Sequence, residues 1–228
     1  MSNILVIGGT KGIGAALVRR LVNQHQVFVW ARTATDIEGV QVTVNNPVDS
    51  VPDTSALPEV VDAVVYCPGS INLKPFARLS VEDFLQDFSI NVVGAVRSLQ
   101  LLTPRLKKSP QASVVLFSSV AATCGMPYHA SIAASKAAVE GLVRSLAAEW
   151  APHIRINAIA PSLTATPLTE KLTNSPEKIE SAAKRHPLQR IGDADEMAAL
   201  AEFLISPSAA FITGQIVAAN GGLGQLRI

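Results

Sequence analysis

The sequence predicts an α/β protein built on a parallel sheet with helices on both faces. Three observations carry this expectation. Short β-rich runs alternate with helix-period segments along all 228 residues. The runs are apolar throughout, as strands buried on both faces are. A glycine cluster, Gly8-Gly9-Thr10-Lys11-Gly12-Ile13-Gly14, separates the first such run from the first helical pattern.

The elements follow in order. Ile4–Ile7 reads as a buried strand. From Gly12 to about Asn23 the residues Ile13, Ala16, Leu17 and Leu21 recur at helical spacing, with Arg20 as one basic interruption. Val27–Trp30, Val40–Val44 and Ala63–Tyr66 read as further strands. The Pro-, Ser- and Asp-rich stretch Asn45–Pro58 reads as a loop with little helix, too short to separate a pair of domains. Leu79 to Lys108 reads as one long helix, with Ser80 and Asp83 as its N-cap and Ser109-Pro110 as its end. Ser113–Phe117 is a strand, Ala130–Trp150 an alanine-rich helix, and Arg155–Ile159 a strand. Asp193 with Glu196 makes a capping box before Met197–Ile205, and Ile216–Ala219 is the last strand. No internal repeat or long linker divides the chain, so a single domain over 1–228 is expected.

Composition narrows the function. An apolar fraction of 48% suits a globular core, and a net charge of +1 gives no general attraction to nucleic acid or to acidic membranes. No apolar run reaches the roughly 18 residues of a membrane span. The chain begins with a strand pattern, and its two cysteines, Cys67 and Cys124, read as reduced thiols, so a cytoplasmic setting is expected. His25, His153 and His186 are scattered, with no His-x-x-x-His or Cys-x-x-Cys spacing, so no metal site is expected. Ser118 and Ser119 lack the G-x-S-x-G turn of a hydrolase nucleophile.

The glycine cluster carries the most chemistry. A tight strand-to-helix turn needs backbone conformations that glycine takes cheaply. Without side chains the main chain can approach a pyrophosphate, and the helix N-terminus offers free N–H groups. In this context the turn predicts a Rossmann-type, doubly wound sheet that binds a dinucleotide.

The glycines follow G-x-x-x-G-x-G rather than G-x-G-x-x-G. With them come Asp62-Ala63-Val64-Val65 leading to Gly69, Asn91-Val92-Val93-Gly94, Ser118-Ser119, Ser135-Lys136-Ala137-Ala138, and Asn157-Ala158-Ile159-Ala160-Pro161 followed by Thr166. Pro187-Leu188-Gln189-Arg190-Ile191-Gly192, Thr213-Gly214-Gln215 and Gly221-Gly222 complete the set. In this order and spacing the chain resembles the short-chain dehydrogenase/reductase family over nearly its whole length. The resemblance implies about seven parallel strands, a nicotinamide dinucleotide across their carboxyl ends, and a homodimer or homotetramer. It places Asn46 near the adenine, Thr166 and Pro161 near the nicotinamide, and Gly8, Thr10, Lys11, Gly12, Ile13, Gly14 and Gly69 along the cofactor. The family's Asn-Asn-Ala-Gly loop is here Tyr66-Cys67-Pro68-Gly69, so only its glycine carries over. The segments between the second and fourth strands are shorter than the family norm, so their helices are expected to shrink to turns.

The residues at the end of the second strand bear on which dinucleotide fits. Val29-Trp30-Ala31-Arg32-Thr33 offers no acid to a ribose 2′-hydroxyl, whereas Arg32 and Lys11 are cations suited to a 2′-phosphate. Asp36 is a more distant competitor. NADP(H) is therefore expected.

In the resembled family a serine polarises the substrate carbonyl, a tyrosine four residues before a lysine passes the proton, and the lysine holds the ribose. An asparagine on the preceding helix supports a water-linked relay. The chain supplies Ser119, Lys136 and Asn91, but position 132 is isoleucine, which can donate no proton. Tyr128 and His129, eight and seven residues before Lys136, are the stand-ins, with water as the third source. The expectation is an oxidoreductase acting on a carbonyl, an alcohol or a conjugated C=C group of a small molecule, with an altered proton donor. The alternative is an impaired cofactor-binding sensor or structural partner. The stretch Leu163–Arg185 is expected to form the pocket's lid.

Overall fold

A computed structural model describes residues 1–33 and 37–226; Asp36 lies outside the described residues. The strands are β1 (Asn3–Ile7), β2 (Gln26–Ala31), β3 (Gln41–Val44), β4 (Ala63–Tyr66), β5 (Ala112–Phe117), β6 (Ile154–Pro161), β7 (Thr164–Ala165), β8 (Gly192–Asp193) and β9 (Ile216–Ala219). The helices are α1 (Gly12–Leu21), α2 (Val81–Phe88), α3 (Gly94–Leu106), α4 (Ala130–Trp150), α5 (Glu170–Thr173), α6 (Pro176–Ala183) and α7 (Ala194–Ile205). Seven strands form one sheet in the order β3-β2-β1-β4-β5-β6-β9, with every pair parallel. The order reverses at β1, so the crevice between β1 and β4 is the topological switch point. The short strands β7 and β8 pair separately beyond β6.

Alternation along each strand divides the core in two. Leu5, Ile7, Phe28, Trp30, Val64, Val114 and Leu116 face α3 and α4, where Leu99, Leu102, Val139 and Val143 meet them. Ile4, Val6, Val27, Val29, Val65 and Val115 face α1 and α7, packing on Leu17, Leu21, Met197 and Leu204. This two-faced burial is why the strands read as continuous apolar runs.

The expected helix 79–108 is not continuous. It begins at Val81, where Ser80 Oγ accepts from Asp83 N–H at 3.2 Å and Asp83 Oδ2 accepts from Ser80 N–H at 3.0 Å. After α2 the chain widens into a π turn over Ser89–Val93 before α3 begins. Such a turn leaves carbonyl oxygens without their usual helical partners. Side chains supply the missing donors: Asn91 Nδ2 donates to the Asp87 carbonyl at 2.8 Å, and the Tyr66 hydroxyl to the Ile90 carbonyl at 2.7 Å. The first helix stops at Leu21 rather than near Asn23. Between β3 and β4, and over the described residues between β2 and β3, only turns and bends connect the strands, as their shortness predicts. The region read as a lid holds β7, α5 and α6.

Candidate functional site

The carboxyl ends of β1, β4, β5 and β6 lie side by side, so the segments that leave them open on one edge. The β1–α1 turn is shaped for a close approach. Gly8 and Gly12 sit at φ +77° and +52°, left-handed values that favour glycine. A Cβ on Gly14 would collide with the carbonyl oxygen of Gly8, so a side chain there would force the turn apart. Lys11 is the N-cap of α1 and makes no capping bond with its side chain, and the first turn holds no acid. The first amides of α1, from Gly12 and Ile13 onward, have no intrahelical partners and point at this edge. These features fit a pyrophosphate, held by main-chain N–H groups rather than by side chains. Thr10 is half-buried beside them.

Pro68 and Thr166 close on this turn. A Cβ on Gly8 would touch Pro68 at 3.2 Å, and one on Gly12 would lie 3.4 Å from Thr166 Cβ. Thr166, just past Pro161 and β7, therefore stands over the glycine turn. A Cβ on Gly69 would lie 3.6 Å from Asn91 Oδ1 and 3.7 Å from Lys136 Nζ. Gly69 thus leaves room between the asparagine and the lysine, which share the floor of the edge. Lys136 is buried and donates to the Phe117 carbonyl at the end of β5, at 2.8 Å. Burial pulls its ammonium down to about 8, opposed by Asp87 and Cys67. The Cys67 thiol is itself pushed up by burial to about 12, which leaves it an unreactive thiol. Ser119, half-buried after β5, caps the short turn that follows by accepting from Ala121 N–H at 3.2 Å.

Ile132 faces inward at 4% exposure. Tyr128 is in a loop rather than the helix, at φ +68° and 60% exposed. His129 is the N-cap residue of α4, with Nδ1 bonded to the Pro127 carbonyl at 2.7 Å. Lys11 and Arg32 are exposed, and neither joins an ion pair among the described residues. Asn46 lies past the carboxyl end of β3, its amide donating to Asp49 Oδ2 at 2.6 Å and its oxygen accepting from Val48 N–H at 3.3 Å.

Two arrangements escaped the sequence reading. Ser70 and Asp87 join Asn91 in a hydrogen-bonded chain behind the floor. Asp87 lies one helical turn before Asn91, which is a signal the sequence carries. His186, 1% exposed, shares a 2.8 Å bond between Nε2 and Ser162 Oγ, while its Nδ1 bonds the Ala182 carbonyl. It pins the end of α6 to the end of β6, so the scattered histidine has a structural use.

An open parallel sheet with a glycine-lined turn at its switch point defines the class: a Rossmann-type α/β protein. Comparison with known proteins narrows this. A profile of the family described as Enoyl-(Acyl carrier protein) reductase matches residues 13–224. A tropinone reductase homologue of Arabidopsis thaliana is 36% identical, over 97% of this chain and 92% of its own. The 3-oxoacyl-[acyl-carrier-protein] reductase of Thermotoga maritima is 32% identical, over 96% of each. Among solved structures, the aldohexose dehydrogenase of Thermoplasma acidophilum superposes with a TM-score of 0.90 at 26% identity, over 99% of this chain and 95% of that one. The chain belongs to the short-chain dehydrogenase/reductase family and is an oxidoreductase of that type.

Proposed function

We propose that the protein, acting as one domain over residues 1–228, is an NADP(H)-dependent reductase of a small-molecule carbonyl or conjugated C=C group, working in the reverse sense on alcohols. The observation that carries this reading is the glycine turn, where a side chain on Gly14 would strike the Gly8 carbonyl and where Thr166 stands over Gly12. Names of relatives that denote reductases support the reaction class. When bound, the nicotinamide supplies the hydride.

The chain's own residues do the rest. Gly8, Thr10, Gly12, Ile13 and Gly14 line the pyrophosphate, and Lys11 with Arg32 attracts the 2′-phosphate. Asn46 borders the adenine, with Gly69, Pro161 and Thr166 at the nicotinamide end. Lys136 leaves the Phe117 carbonyl for the ribose, and Ser119 polarises the substrate oxygen. The family's tyrosine position is Ile132, so the proton enters from the Tyr128–His129 turn or from water beside Asn91. Retention of Asn91, Ser119 and Lys136 favours catalysis over a purely sensing role.

The test is a fluorescence titration of NADPH against NADH, beside a screen of ketones and enones for NADPH oxidation. NADPH should bind about tenfold or more tightly than NADH, and Lys11→Ala or Arg32→Ala should weaken NADPH selectively. Equal affinities would remove the cofactor assignment.

A further inference from the structure

Behind the floor of the site lies a carboxyl group that the proposed function does not use. Asp87, near the end of α2, is 2% exposed. Its Oδ1 accepts the Ser70 hydroxyl at 2.6 Å, and Ser70 Oγ in turn accepts the Asn91 amide at 2.9 Å. Asp87 Oδ2 and Asn91 Oδ1 are buried without a hydrogen-bond partner. A buried carboxylate oxygen in this state calls for a cation nearby.

The cation at hand is Lys136. The space beside Gly69 that lies 3.6 Å from Asn91 Oδ1 lies 3.7 Å from Lys136 Nζ. With isoleucine at 132 there is no phenol beside the ammonium, and a buried ammonium with only carbonyl oxygens around it needs an anion elsewhere. The other titratable groups around it do not supply one. Cys67 holds its proton far above neutrality. Glu140, one turn along α4, is engaged by Ser118 at 2.8 Å and by Arg144 at 2.9 Å. The Tyr66 hydroxyl, raised by burial, donates to the Ile90 carbonyl.

We propose that Asp87 is a positioning residue of this site: a buried counter-charge that keeps Lys136 an ammonium ion and, through Ser70, aims the Asn91 amide. This rests on the proposed function only for its purpose, since the coupling belongs to the protein without cofactor. Burial draws the lysine down to about 8, and Asp87 is the foremost group opposing that fall. Its loss must move the Lys136 midpoint toward lower pH.

Carbon-13 NMR of the ligand-free, full-length protein tests the inference. In the wild type the Lys136 Cε resonance should titrate near pH 8, and the Asp87 Cγ resonance should respond to that change in the neighbouring lysine's charge. Asp87→Asn keeps the shape and an acceptor for Ser70, and should move the Lys136 midpoint down by about half a unit or more. A residue with only a structural role would leave that midpoint in place. The wild-type titration needs no variant, so it stands even if Asp87→Asn fails to fold. An Asp87 resonance that is flat through the Lys136 midpoint, or a folded Asp87→Asn protein with an unmoved midpoint, overturns the proposal. Coupling found in a protein that binds no NADPH supports the proposal and removes the cofactor reading instead.

Discussion

The Tyr66 hydroxyl donates to the carbonyl oxygen of Ile90 at 2.7 Å, so the strand that leads into Cys67-Pro68-Gly69 is tied to the π turn that carries Asn91. The ring reaches that carbonyl by passing Gly94, where a side chain would collide with its oxygen. Tyr66→Phe should leave a buried carbonyl unpaired and cost about 1–3 kcal/mol. Urea denaturation of wild type and variant measures it; unchanged stability would mean that the turn rearranges freely.

Gly14→Ala tests the cradle. The added methyl must displace the Gly8 carbonyl, and overpacking of this kind costs roughly 1–3 kcal/mol. Thermal unfolding should show the loss, and NADPH titration of the folded fraction should show binding reduced beyond detection. Full affinity for NADPH in the variant would place the cofactor elsewhere.

Ile132→Tyr tests the proposed change of proton donor. Ser119 and Lys136 stand at the spacing that a phenol at 132 requires, so the variant should gain ketone reduction approaching the roughly 10²–10⁴-fold of a positioned general acid. The Lys136 ammonium should also depress the new phenol's pKa, visible in an ultraviolet titration. Ile132 is 4% exposed, so circular dichroism must first show that the larger ring is accommodated. If a folded variant binds NADPH and gains nothing, the pocket is reshaped elsewhere. If the wild type is already fast and Tyr128→Phe or His129→Ala slows it, the donor has moved to that turn.

Self-association is expected through the helices, as a dimer or tetramer. On α4 the small residues Ala134, Ala137 and Gly141 are exposed, and a Cβ on Gly141 would meet nothing within 4 Å. On α2, Val81 and Leu85 are 69% and 62% exposed, one helical turn apart. Light scattering at micromolar concentration should give a multiple of 24.0 kDa, and Leu85→Lys should reduce it. A monomeric wild type would end this expectation.

What the sequence made legible was local. Ala63–Tyr66, Ala130–Trp150 and Ile216–Ala219 read with the bounds they have in the structure, because proline, glycine or polar residues flank their apolar runs. The break between α2 and α3 did not show. A π turn adds one residue to a helix, and Ser89, Asn91 and Gly94 fit a helical pattern as readily as a break, so 79–108 reads as one helix. The glycine turn, Asn91, Ser119 and Lys136 could be named as candidates because they stand in the order and spacing of the resembled family. The Ser70–Asp87 pair could not be read, because 17 residues separate its members and only folding brings the hydroxyl to the carboxyl. Asp36 lies outside the described residues, so its competition with Arg32 is left to the cofactor titration.

The sheet also has short rims. Its outermost strands, β3 and β9, have four residues each. Each rim therefore offers few free backbone donors and acceptors to a passing strand from another molecule. Open parallel sheets are exposed to fibre-like stacking while they fold, and short rims limit the length of any such mispairing. The same short rims constrain engineering: lengthening β3 toward the turns on either side would enlarge a template for precipitation before it added stability.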